Sequence, residues 1–357
     1  MLISLCIIAY NEENALKRLF DNILGQSYPK KNTQIVLVND NSSDGTNKIM
    51  NSFAENNKDY HSILVVNCRK RLQAAAWNTA ITRASGDVII RLDAHSAIPP
   101  NFLSENARCI SQGEYVCGGA RPTKASEETP WQMTLLAAES SMFGSSFAKY
   151  RRCCNKKCYV DSLFHGAYRR EVFEDVGGFN EQLGRTEDNE LHYRIRQSGY
   201  KICFDPKIRS YQYIRSSLPK MMKQKFGNGY WVALTLGVCP GCISIFHFAP
   251  LALVCAFIFS LIIAFFGFFA PFVILSAAYF LIDLLITAQV FFTEKIYPQF
   301  LLLPLIFPLL HFAYGVGSVL GLVKMPFWYK NARRKSKRGI QRVKYKLKNT
   351  GGGNEYG

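Results

Sequence analysis

The sequence predicts an α/β domain built on a doubly wound parallel sheet, followed by C-terminal transmembrane helices. The N-terminal part of the 357-residue chain alternates short apolar runs of strand length with segments of helical spacing, which is the order that builds such sheets. Further on, residues 243–293 contain one charged residue, Asp283, and a block this apolar belongs in a membrane. Because 48% of the residues are hydrophobic and 19% are charged, a disordered chain is excluded.

Four apolar runs without polar alternation are typical of parallel strands that helices cover on both faces. They comprise residues 2–9, 34–39, 62–66 and 87–92. Between the first two, apolar residues recur at helical spacing over 16–24, with Asn14 as a possible N-cap and Gly25 as a C-terminal stop. Two further helices, predicted over 46–56 and 72–84, complete the alternation of strand and helix.

Carboxylates follow three of these predicted strands, at the edge where such sheets bind their ligands. The segments are Tyr10-Asn11-Glu12-Glu13, Asp40-Asn41-Ser42-Ser43-Asp44-Gly45 and Asp93-Ala94-His95. Clustering carboxylates at one edge is unfavourable unless a ligand binds there, and it is unexpected in a chain of net charge +17. A nucleotide with a divalent cation would use it, because carboxylates accept ribose or base donors and hold the metal.

These segments, together with three later motifs, resemble glycosyltransferase family 2, whose members invert configuration and have a nucleotide-sugar-binding GT-A fold. The likeness runs from about residue 2 to residue 230. Its pieces are Ile7-Ile-Ala-Tyr-Asn-Glu-Glu, Val36-Leu-Val-Asn-Asp-Asn-Ser-Ser-Asp-Gly-Thr, Arg91-Leu-Asp-Ala-His, Phe164-His-Gly-Ala-Tyr-Arg-Arg-Glu-Val-Phe, Val176-Gly-Gly-Phe-Asn-Glu and Arg185-Thr-Glu-Asp-Asn-Glu-Leu. Asp-Ala-His in place of Asp-x-Asp, with a membrane C-terminus, is similar to the bacterial succinoglycan-type exopolysaccharide branch.

The resemblance implies that Asp93 and His95 carry a divalent metal, Mn²⁺ or Mg²⁺. Imidazole is softer than carboxylate and favours Mn²⁺. An alternative is that His95 caps the helix after Pro99-Pro100.

The resemblance also implies a donor-binding set in which Glu12 and Asp40 contact the nucleobase or ribose, and an anionic diphosphate would explain the cation Arg71. The full donor-binding set is Tyr10, Glu12, Asp40, Arg71, Asn78 and Asp93. On local sequence alone, Asp40 is an ordinary turn residue and Arg71 a solvated helix start.

Glu187 and Asp188 are the candidate catalytic pair. Inversion needs a carboxylate that takes the proton of the acceptor hydroxyl during attack, and by family analogy Asp188 is that base and Glu187 its neighbour. The spacing of Leu191 and Ile195 predicts a helix over 189–197. The pair would then lie in its first turn, where the helix N-terminus favours ionised carboxylates. A helix-capping acidic pair explains the local sequence equally well.

We expect three regions: a cytosolic GT-A domain over 1–240 with an interfacial segment near 218–240, a membrane region over 245–323, and a basic tail over 324–357 with a Gly-rich end. The apolar stretches lie near 247–267, 271–292 and 300–323, each close to a bilayer span. Three spans would place the basic tail outside, against the positive-inside rule. The third stretch is therefore predicted to be re-entrant or interfacial, with a hidden fourth span as the alternative. Its apolar run is interrupted by Pro304, Pro308, Gly315, Gly317 and Gly321. A multi-pass protein of the plasma membrane with a cytoplasmic catalytic domain follows.

The expected activity is non-processive transfer of a sugar to a polyprenyl-linked saccharide in surface polysaccharide synthesis. Processive relatives carry Gln-x-x-Arg-Trp, whereas Gln224 is followed here by Lys-Phe-Gly-Asn. Transfer to polyprenyl phosphate itself and an inactive membrane scaffold are the alternatives. The tail, with eleven cations and no acid over 324–348, is expected to bind anionic lipid rather than nucleic acid.

Cysteines at 153, 154 and 158 lie beside basic residues. They form either an incomplete zinc site, since no fourth ligand is nearby, or a basic loop that carries reduced thiols.

Overall fold

The computed structural model describes residues 1–144, 155–293 and 297–350. Cys153 and Cys154 lie outside these residues, while Cys158 starts a short strand. The strands are β1 (Ile3–Ala9), β2 (Thr33–Asn39), β3 (Ser62–Asn67), β4 (Val88–Asp93), β5 (Ser96–Ala97), β6 (Val116–Ala120), β7 (Thr123–Lys124), β8 (Cys158–Tyr159), β9 (Ala167–Arg169), β10 (Ile202–Arg209) and β11 (Tyr211–Tyr213). The α-helices are α1 (Glu13–Leu24), α2 (Thr46–Asn56), α3 (Gln73–Ile81), α4 (Phe102–Ser111), α5 (Pro130–Ser140), α6 (Arg170–Val176), α7 (Glu187–Gln197), α8 (Leu218–Thr235), α9 (Ala249–Phe265), α10 (Ala270–Thr293) and α11 (Leu303–Thr350).

The chain divides into two compact units. The first comprises Met1–Pro122, Ala148–Gln212 and Asn331–Gly357, and the second comprises Thr123–Phe147 and Tyr213–Lys330.

An eight-stranded mixed sheet with the order β3-β2-β1-β4-β9-β6-β10-β8 forms the centre of the first unit. The four predicted strands are confirmed as β1 to β4, and they run parallel. Next to them, β9 is antiparallel to both β4 and β6. Since β1 to β4 are parallel, the segments that follow them meet at one edge of the sheet, as expected from the sequence.

Both faces of the sheet are covered, which explains the uninterrupted apolar runs. Alternate residues of β1 pack into different clusters: Leu5 belongs to one and Cys6 to the other. The helix α1 buries the predicted apolar face and ends at Gly25 as expected. The prediction of Asn14 as N-cap is wrong, because α1 begins at Glu13 and Glu12 occupies the cap position.

Among the residues that the structure describes, three helices are long and apolar enough to cross a membrane, spanning Ile245–Phe265, Ala270–Phe292 and Pro298–Asn349. The first two lie in the second unit, and the third ends in residues assigned to the first. The third apolar stretch is not interrupted where the sequence suggested. It lies in the 48-residue helix α11, with Pro308 inside that helix. Its glycines serve close packing instead, since a Cβ on Gly317 would lie 2.2 Å from the Phe226 carbonyl oxygen of α8 and one on Gly321 would lie 2.4 Å from that of Tyr230.

Candidate active site

The turns after β1 and β2 are joined by hydrogen bonds at the edge of the sheet. The Asn11 side-chain oxygen accepts from the Ser43 backbone N–H at 2.8 Å, and the Glu12 N–H donates to Thr46 Oγ1 at 2.9 Å. The Gly45 N–H donates to Glu13 Oε2 at 2.8 Å. Polar residues that alone resemble ordinary turns therefore hold two strand ends in a fixed arrangement.

Sharp backbone turns are concentrated at this edge. Asn11, Asn41 and Arg71 have φ of 54°, 60° and 49°, and each follows a different parallel strand. His165, just before β9, has φ of 43°. Left-handed backbone is unfavourable for residues other than glycine, and such conformations gather at functional sites, where the surrounding structure enforces them.

Asp40, Tyr10 and Arg71 lie together on the side of β1 away from β4. The Arg71 guanidinium is 5.8 Å from the centre of the Tyr10 ring, and Tyr10 is 47% exposed. The Asp40 side chain is buried, and its Oδ1 makes no hydrogen bond within the described residues. Burial raises the pKa of Asp40, opposed by the Cys68 thiol and by Arg71. This group of residues offers an unused acceptor, an aromatic ring and a cation.

Asn78 has a different environment from the other predicted donor-binding residues. Its Nδ2 donates to the Phe179 carbonyl at 2.9 Å and to Glu181 Oε1 at 3.1 Å, while its Oδ1 accepts from the Phe179 N–H at 2.7 Å. The side chain is fully buried. Its amide is thus already used to hold residues 179–181.

Asp93 lies at the end of β4 between a buried imidazole and a buried guanidinium. Its Oδ2 is 3.5 Å from His165 Nε2, and its Oδ1 is 3.9 Å from Arg91 Nη2. Burial acts to raise the pKa of Asp93, but the hydrogen bond from His165 and the charge of Arg91 prevail and hold it well below its usual range. The carboxylate is therefore ionised at neutral pH.

The His165 ring is fixed from both sides. Its Nδ1 lies 2.9 Å from Ser210 Oγ and its Nε2 lies 3.0 Å from Ser96 Oγ. Burial lowers the pKa of His165 to about 4, so the ring is neutral at pH 7. In the tautomer that carries its proton on Nε2, the ring donates to Asp93 and accepts from the Ser210 hydroxyl at Nδ1.

His95 is two residues beyond Asp93 and faces Glu12. Its Nδ1 is 3.3 Å from Glu12 Oε1, and its Nε2 is 3.3 Å from the Gln212 side-chain nitrogen. The alternative that it caps the next helix is wrong, because α4 begins at Phe102 with Asn101 at its N-cap. The backbone turn after β4 thus leaves both Asp93 and His95 at the same edge.

Asp93 and His95 offer an ionised carboxylate and an imidazole at this edge, and these are donor types that suit a divalent cation. Across residues 1–144, 155–293 and 297–350, no group of three or more His, Cys, Asp or Glu side chains is arranged to hold a metal. Such a cation would need further oxygen ligands from a bound molecule, and a diphosphate supplies them.

Glu187 and Asp188 form the first turn of α7, as the spacing predicted. Both are buried, and the Asp188 Oδ1 accepts from the Asn189 N–H at 2.8 Å. Glu187 Oε1 is 3.5 Å from Arg91 Nη2, while its Oε2 has no hydrogen-bond partner among the residues described. Burial and the negative charge of Asp188 raise the pKa of Glu187 to about 7, and burial also raises the pKa of Asp188. The pair therefore holds a proton more readily than free carboxylates do.

Arg91 joins the two groups of carboxylates, a role that is not predicted from the sequence motifs. Its guanidinium contacts Asp93 and Glu187 and lies 4.7 Å from the centre of the Trp77 ring. The side chain is only 3% exposed. The signal that could have identified it is a single cation within an otherwise apolar buried strand, because a buried charge requires partners.

Residues 4–177 match the family model described as Glycosyl transferase family 2. The succinoglycan biosynthesis protein ExoA of Rhizobium meliloti (strain 1021) is 28% identical over 225 residues, which cover 61% of this chain and 65% of that protein. A Methanococcus voltae protein, dolichyl N-acetyl-alpha-D-glucosaminyl phosphate 3-beta-D-2,3-diacetamido-2,3-dideoxy-beta-D-glucuronosyltransferase, is 25% identical over 233 residues, covering 64% of this chain and 71% of its own length. The chain thus matches just under two thirds of ExoA.

Among solved structures, the mannosyltransferase PcManGT from Pyrobaculum calidifontis, in complex with GDP-Man and Mn²⁺, aligns with a TM-score of 0.57 at 17% identity. The alignment covers 89% of this chain and 86% of that one. At this identity the likeness shows a shared fold. The family match and the motifs at the strand ends agree with it: residues 4–177 match the model of glycosyltransferase family 2, and they do so on a GT-A-like fold.

Proposed function

We propose that the protein is an inverting, metal-dependent, non-processive glycosyltransferase that moves a sugar from a nucleotide donor to a polyprenyl-linked saccharide in surface polysaccharide synthesis. One observation supports this above all others. A single buried cation, Arg91, lies between an ionised carboxylate, Asp93, and a carboxylate pair whose pKa values are raised. Glycosyl transfer needs both. On the donor side, fixed negative charge holds the metal that neutralises the diphosphate, and on the other side a base takes the proton of the acceptor hydroxyl.

On the donor side, the proposed contacts are made by Tyr10, Glu12, Asp40 and Arg71. The Tyr10 ring offers a stacking surface for a nucleobase, and Asp40 Oδ1 is an unused buried acceptor for a base or ribose donor. Arg71 provides a cation for the diphosphate. Asn78 is not included, since its amide is used within the protein.

The metal-binding residues of the proposal are Asp93 and His95. A bound Mn²⁺ or Mg²⁺ supplies charge neutralisation for the departing nucleotide diphosphate. The part played by this chain is to keep Asp93 ionised, which His165 and Arg91 do, and to keep the His95 ring at the same edge, where Glu12 Oε1 lies 3.3 Å from Nδ1.

Asp188 is the proposed general base. With the pKa of Glu187 at about 7, Glu187 keeps its proton below neutral pH, so the single negative charge of the pair resides on Asp188. That carboxylate can accept the proton of an acceptor hydroxyl while the hydroxyl oxygen attacks the anomeric carbon. Charge on the pair is stabilised by Arg91.

A lipid-linked acceptor is supported by the membrane helices and by the name of the Methanococcus relative, which specifies a dolichyl phosphate-linked sugar. The sequence after Gln224 lacks the pattern of processive synthases. Transfer to polyprenyl phosphate itself is the second candidate. An inactive scaffold is opposed by Asp40 Oδ1 and Glu187 Oε2, which are buried and have no hydrogen-bond partner in the described part of the chain. Such atoms cost free energy, and without a ligand nothing offsets that cost.

The membrane arrangement of the proposal follows from the C-terminal residues. Because residues 331–350 pack in the same compact unit as residues 1–122, the proposal puts both on one side of the membrane. The segment between them would then cross the bilayer an even number of times. We therefore infer that α9 and α10 cross as a hairpin and that α11 stays at the interface. In its apolar part 39% of the residues are buried by protein, against 17% and 11% in the other two. The catalytic unit and the tail would both be cytoplasmic, in the plasma membrane.

The test is turnover by the purified full-length protein across a panel of nucleotide sugars with added Mn²⁺. Donor hydrolysis identifies the nucleotide and sugar, and a second series compares a polyprenyl-diphosphate saccharide with polyprenyl phosphate as acceptor. We expect one preferred donor and transfer to the diphosphate-linked saccharide. Asp188→Asn is the matched control. No turnover of any donor would favour the scaffold, and transfer to the monophosphate alone would favour the second candidate.

A further inference from the structure

The C-terminal end of α11 is packed against the catalytic unit rather than standing apart as a tail. Val343 and Leu347 are fully buried and belong to the same apolar cluster as Trp77 and Phe179. Together with Ala332 and Ser336, the buried positions are spaced four or seven residues apart, which places them on one face of the helix. This part of the chain therefore has an apolar face that contacts the catalytic unit and a cationic face.

The contact depends on the glycine pair of the Val176-Gly-Gly-Phe motif. The Gly178 N–H donates to the Ile340 carbonyl at 3.4 Å. A Cβ on Gly177, whose φ is 80°, would lie 2.6 Å from that carbonyl oxygen, and a Cβ on Gly178 would lie 2.6 Å from a methyl carbon of Val343. Side chains here would push the helix away, so these glycines permit close backbone approach.

Glu181, which follows this motif, accepts from three segments of the unit. Its Oε2 is 2.6 Å from Lys70 Nζ, and its Oε1 is 2.7 Å from Arg342 Nη2 and 3.1 Å from Asn78 Nδ2. The Glu181 side chain is only 11% exposed. Burial would raise the pKa of Glu181, but Lys70 and Asn78 outweigh it and lower that pKa, so the carboxylate stays charged. It thus joins α11 to the turn that contains Arg71.

The same motif is also bound to the helix that carries the catalytic pair. Arg194 of α7 donates to the Val176 and Gly178 carbonyls, each at 2.6 Å, and to Glu190 at 2.7 Å. Glu187 and Asp188 lie in the first turn of α7. Residues 176–181 therefore connect the end of α11 with α7 and with the Lys70–Arg71 turn.

We propose that the C-terminal segment 331–350 is a positioning element of the active site, acting through Arg342 and Glu181. By holding residues 176–181 in place, it orients the first turn of α7 and the turn before Arg71, which are the base side and the donor side of the site. The inference rests on the proposed function for what these residues do, but the physical coupling between the segments stands independently of it.

The experiment measures hydrogen exchange and steady-state donor hydrolysis on the full-length protein in a neutral detergent, where the surface cations of the tail have no anionic lipid to bind. Arg342→Gln removes the contact to Glu181, and Arg338→Gln is the matched control. It makes the same change of charge on an exposed residue of the same helix that forms no ion pair among the described residues. Arg342→Lys retains the charge and can restore the ion pair. Glu181→Gln, alone and combined with Arg342→Gln, tests whether the two act together.

We expect Arg342→Gln to speed amide exchange in residues 176–183, 68–72 and the first turn of α7, by about threefold or more, as local opening becomes easier. We expect kcat to fall about tenfold, because misplacement of reacting groups is costly, with partial rescue by Lys and no added effect of Arg342→Gln in the Glu181→Gln background. If Arg342→Gln exchanges and turns over like Arg338→Gln, the proposal is overturned. Absence of turnover in the wild-type protein would contradict the proposed function, while the exchange measurement would still decide the coupling.

Discussion

Asp93 and Glu187 approach the same guanidinium, yet their proton affinities move in opposite directions. The distances to Arg91 Nη2 are similar, 3.9 Å and 3.5 Å, and both side chains are buried. Asp93 also faces His165, and its pKa lies well below the usual range. Glu187 has an oxygen without a hydrogen-bond partner among the described residues and has Asp188 beside it, and its pKa rises to about 7.

The difference shows that Arg91 alone does not decide the charge of either group. A hydrogen-bond donor on one side and a second carboxylate on the other decide it, because the first favours the ionised form and the second opposes it. One side of Arg91 is thus permanently anionic, as metal and diphosphate chemistry requires. The other side can exchange a proton near neutral pH, as base catalysis requires.

The largest expected effect is on the anionic side. Asp93→Asn should reduce both donor hydrolysis and transfer to the level of a no-enzyme control, because the proposed metal site loses its charged protein ligand. Excess chelator should do the same to the wild-type protein, with recovery by Mn²⁺ better than by Ca²⁺. His95→Asp should retain part of the activity and change the metal preference toward Mg²⁺. Calorimetric titration of Mn²⁺ with the nucleotide sugar measures binding separately from turnover.

The matched control for that variant is Asp59→Asn, which removes a carboxylate from the surface ion pair with Lys30 and should leave turnover unchanged. Full activity of the wild-type protein in excess chelator would sink the assignment of the metal site, and with it the reason for keeping Asp93 ionised.

The next effect concerns the proton-accepting side. Asp188→Asn keeps the shape of the side chain but cannot take a proton, so transfer should fall by roughly 10²–10⁴-fold while donor binding persists. Single-turnover transfer and equilibrium donor binding measure the two quantities. Glu187→Gln should cost less, since it mimics the protonated state that Glu187 keeps below neutral pH. Normal transfer by Asp188→Asn together with loss in Glu187→Gln would exchange the two roles.

A smaller and pH-dependent effect is expected at Arg91 itself. The guanidinium favours ionised Asp188 and Glu187, so Arg91→Met should raise both pKa values and move the acidic limb of kcat to higher pH. The loss should then be greater at pH 6 than at pH 8, and it should reach about tenfold on the acidic limb if the pKa of the base rises by about one. Arg91→Lys keeps the charge and should move the limb less. An unmoved limb in Arg91→Met would mean that Arg91 does not control the base.

Local patterns in the sequence predicted the elements that hold these groups, but not how they meet. The four parallel strands lie within a residue of their predicted ends, and α2 has its predicted bounds, since apolar runs and turn residues are local signals. His165 reaches Asp93 only because the antiparallel strand β9 inserts beside β4. A pairing of residues so far apart in the sequence leaves no periodic trace, so the contacts that separate Asp93 from Glu187 could not be derived.

The C-terminal helix differs from the expected interrupted stretch for a related reason. Prolines and glycines suggested an interrupted third stretch, but the glycines of α11 allow close packing on α8, a long-range contact that outweighs local helix propensity. The many cations of the basic tail gave no indication that one face of this helix is apolar. Val343 and Leu347 nevertheless lie four residues apart within the run of cations. That spacing was a readable signal of packing.

The smallest expected effect comes from the exposed cations of the tail. Arg333, Arg334, Lys335, Lys337 and Arg338 are all exposed, and each is worth at most about 1 kcal/mol of attraction to an anionic membrane surface. Changing all five to Gln should leave the protein in the membrane fraction, since the apolar helices hold it there. Transfer to a lipid acceptor should fall several-fold more than donor hydrolysis, and the difference should shrink at high salt.

A cysteine placed after Lys348, in a variant without the native cysteines, should stay shielded from an impermeant thiol reagent in intact cells.

This five-residue variant also sharpens the comparison around Arg91. Exposed charges separated by more than about 8 Å are largely screened at physiological ionic strength, whereas Arg91, His165 and Asp188 act at contact distance or within the same buried site. We therefore expect the acidic limb of kcat and the Mn²⁺ requirement to match those of the wild-type protein. If removing five surface cations moved the limb as far as Arg91→Met does, the proton affinities of Asp93 and Glu187 would reflect the overall charge of the unit. The local contacts that distinguish the two carboxylates would then have no controlling role. Separately, labelling of the added cysteine without permeabilisation would show that the tail is not cytoplasmic, and the proposed membrane arrangement would be wrong.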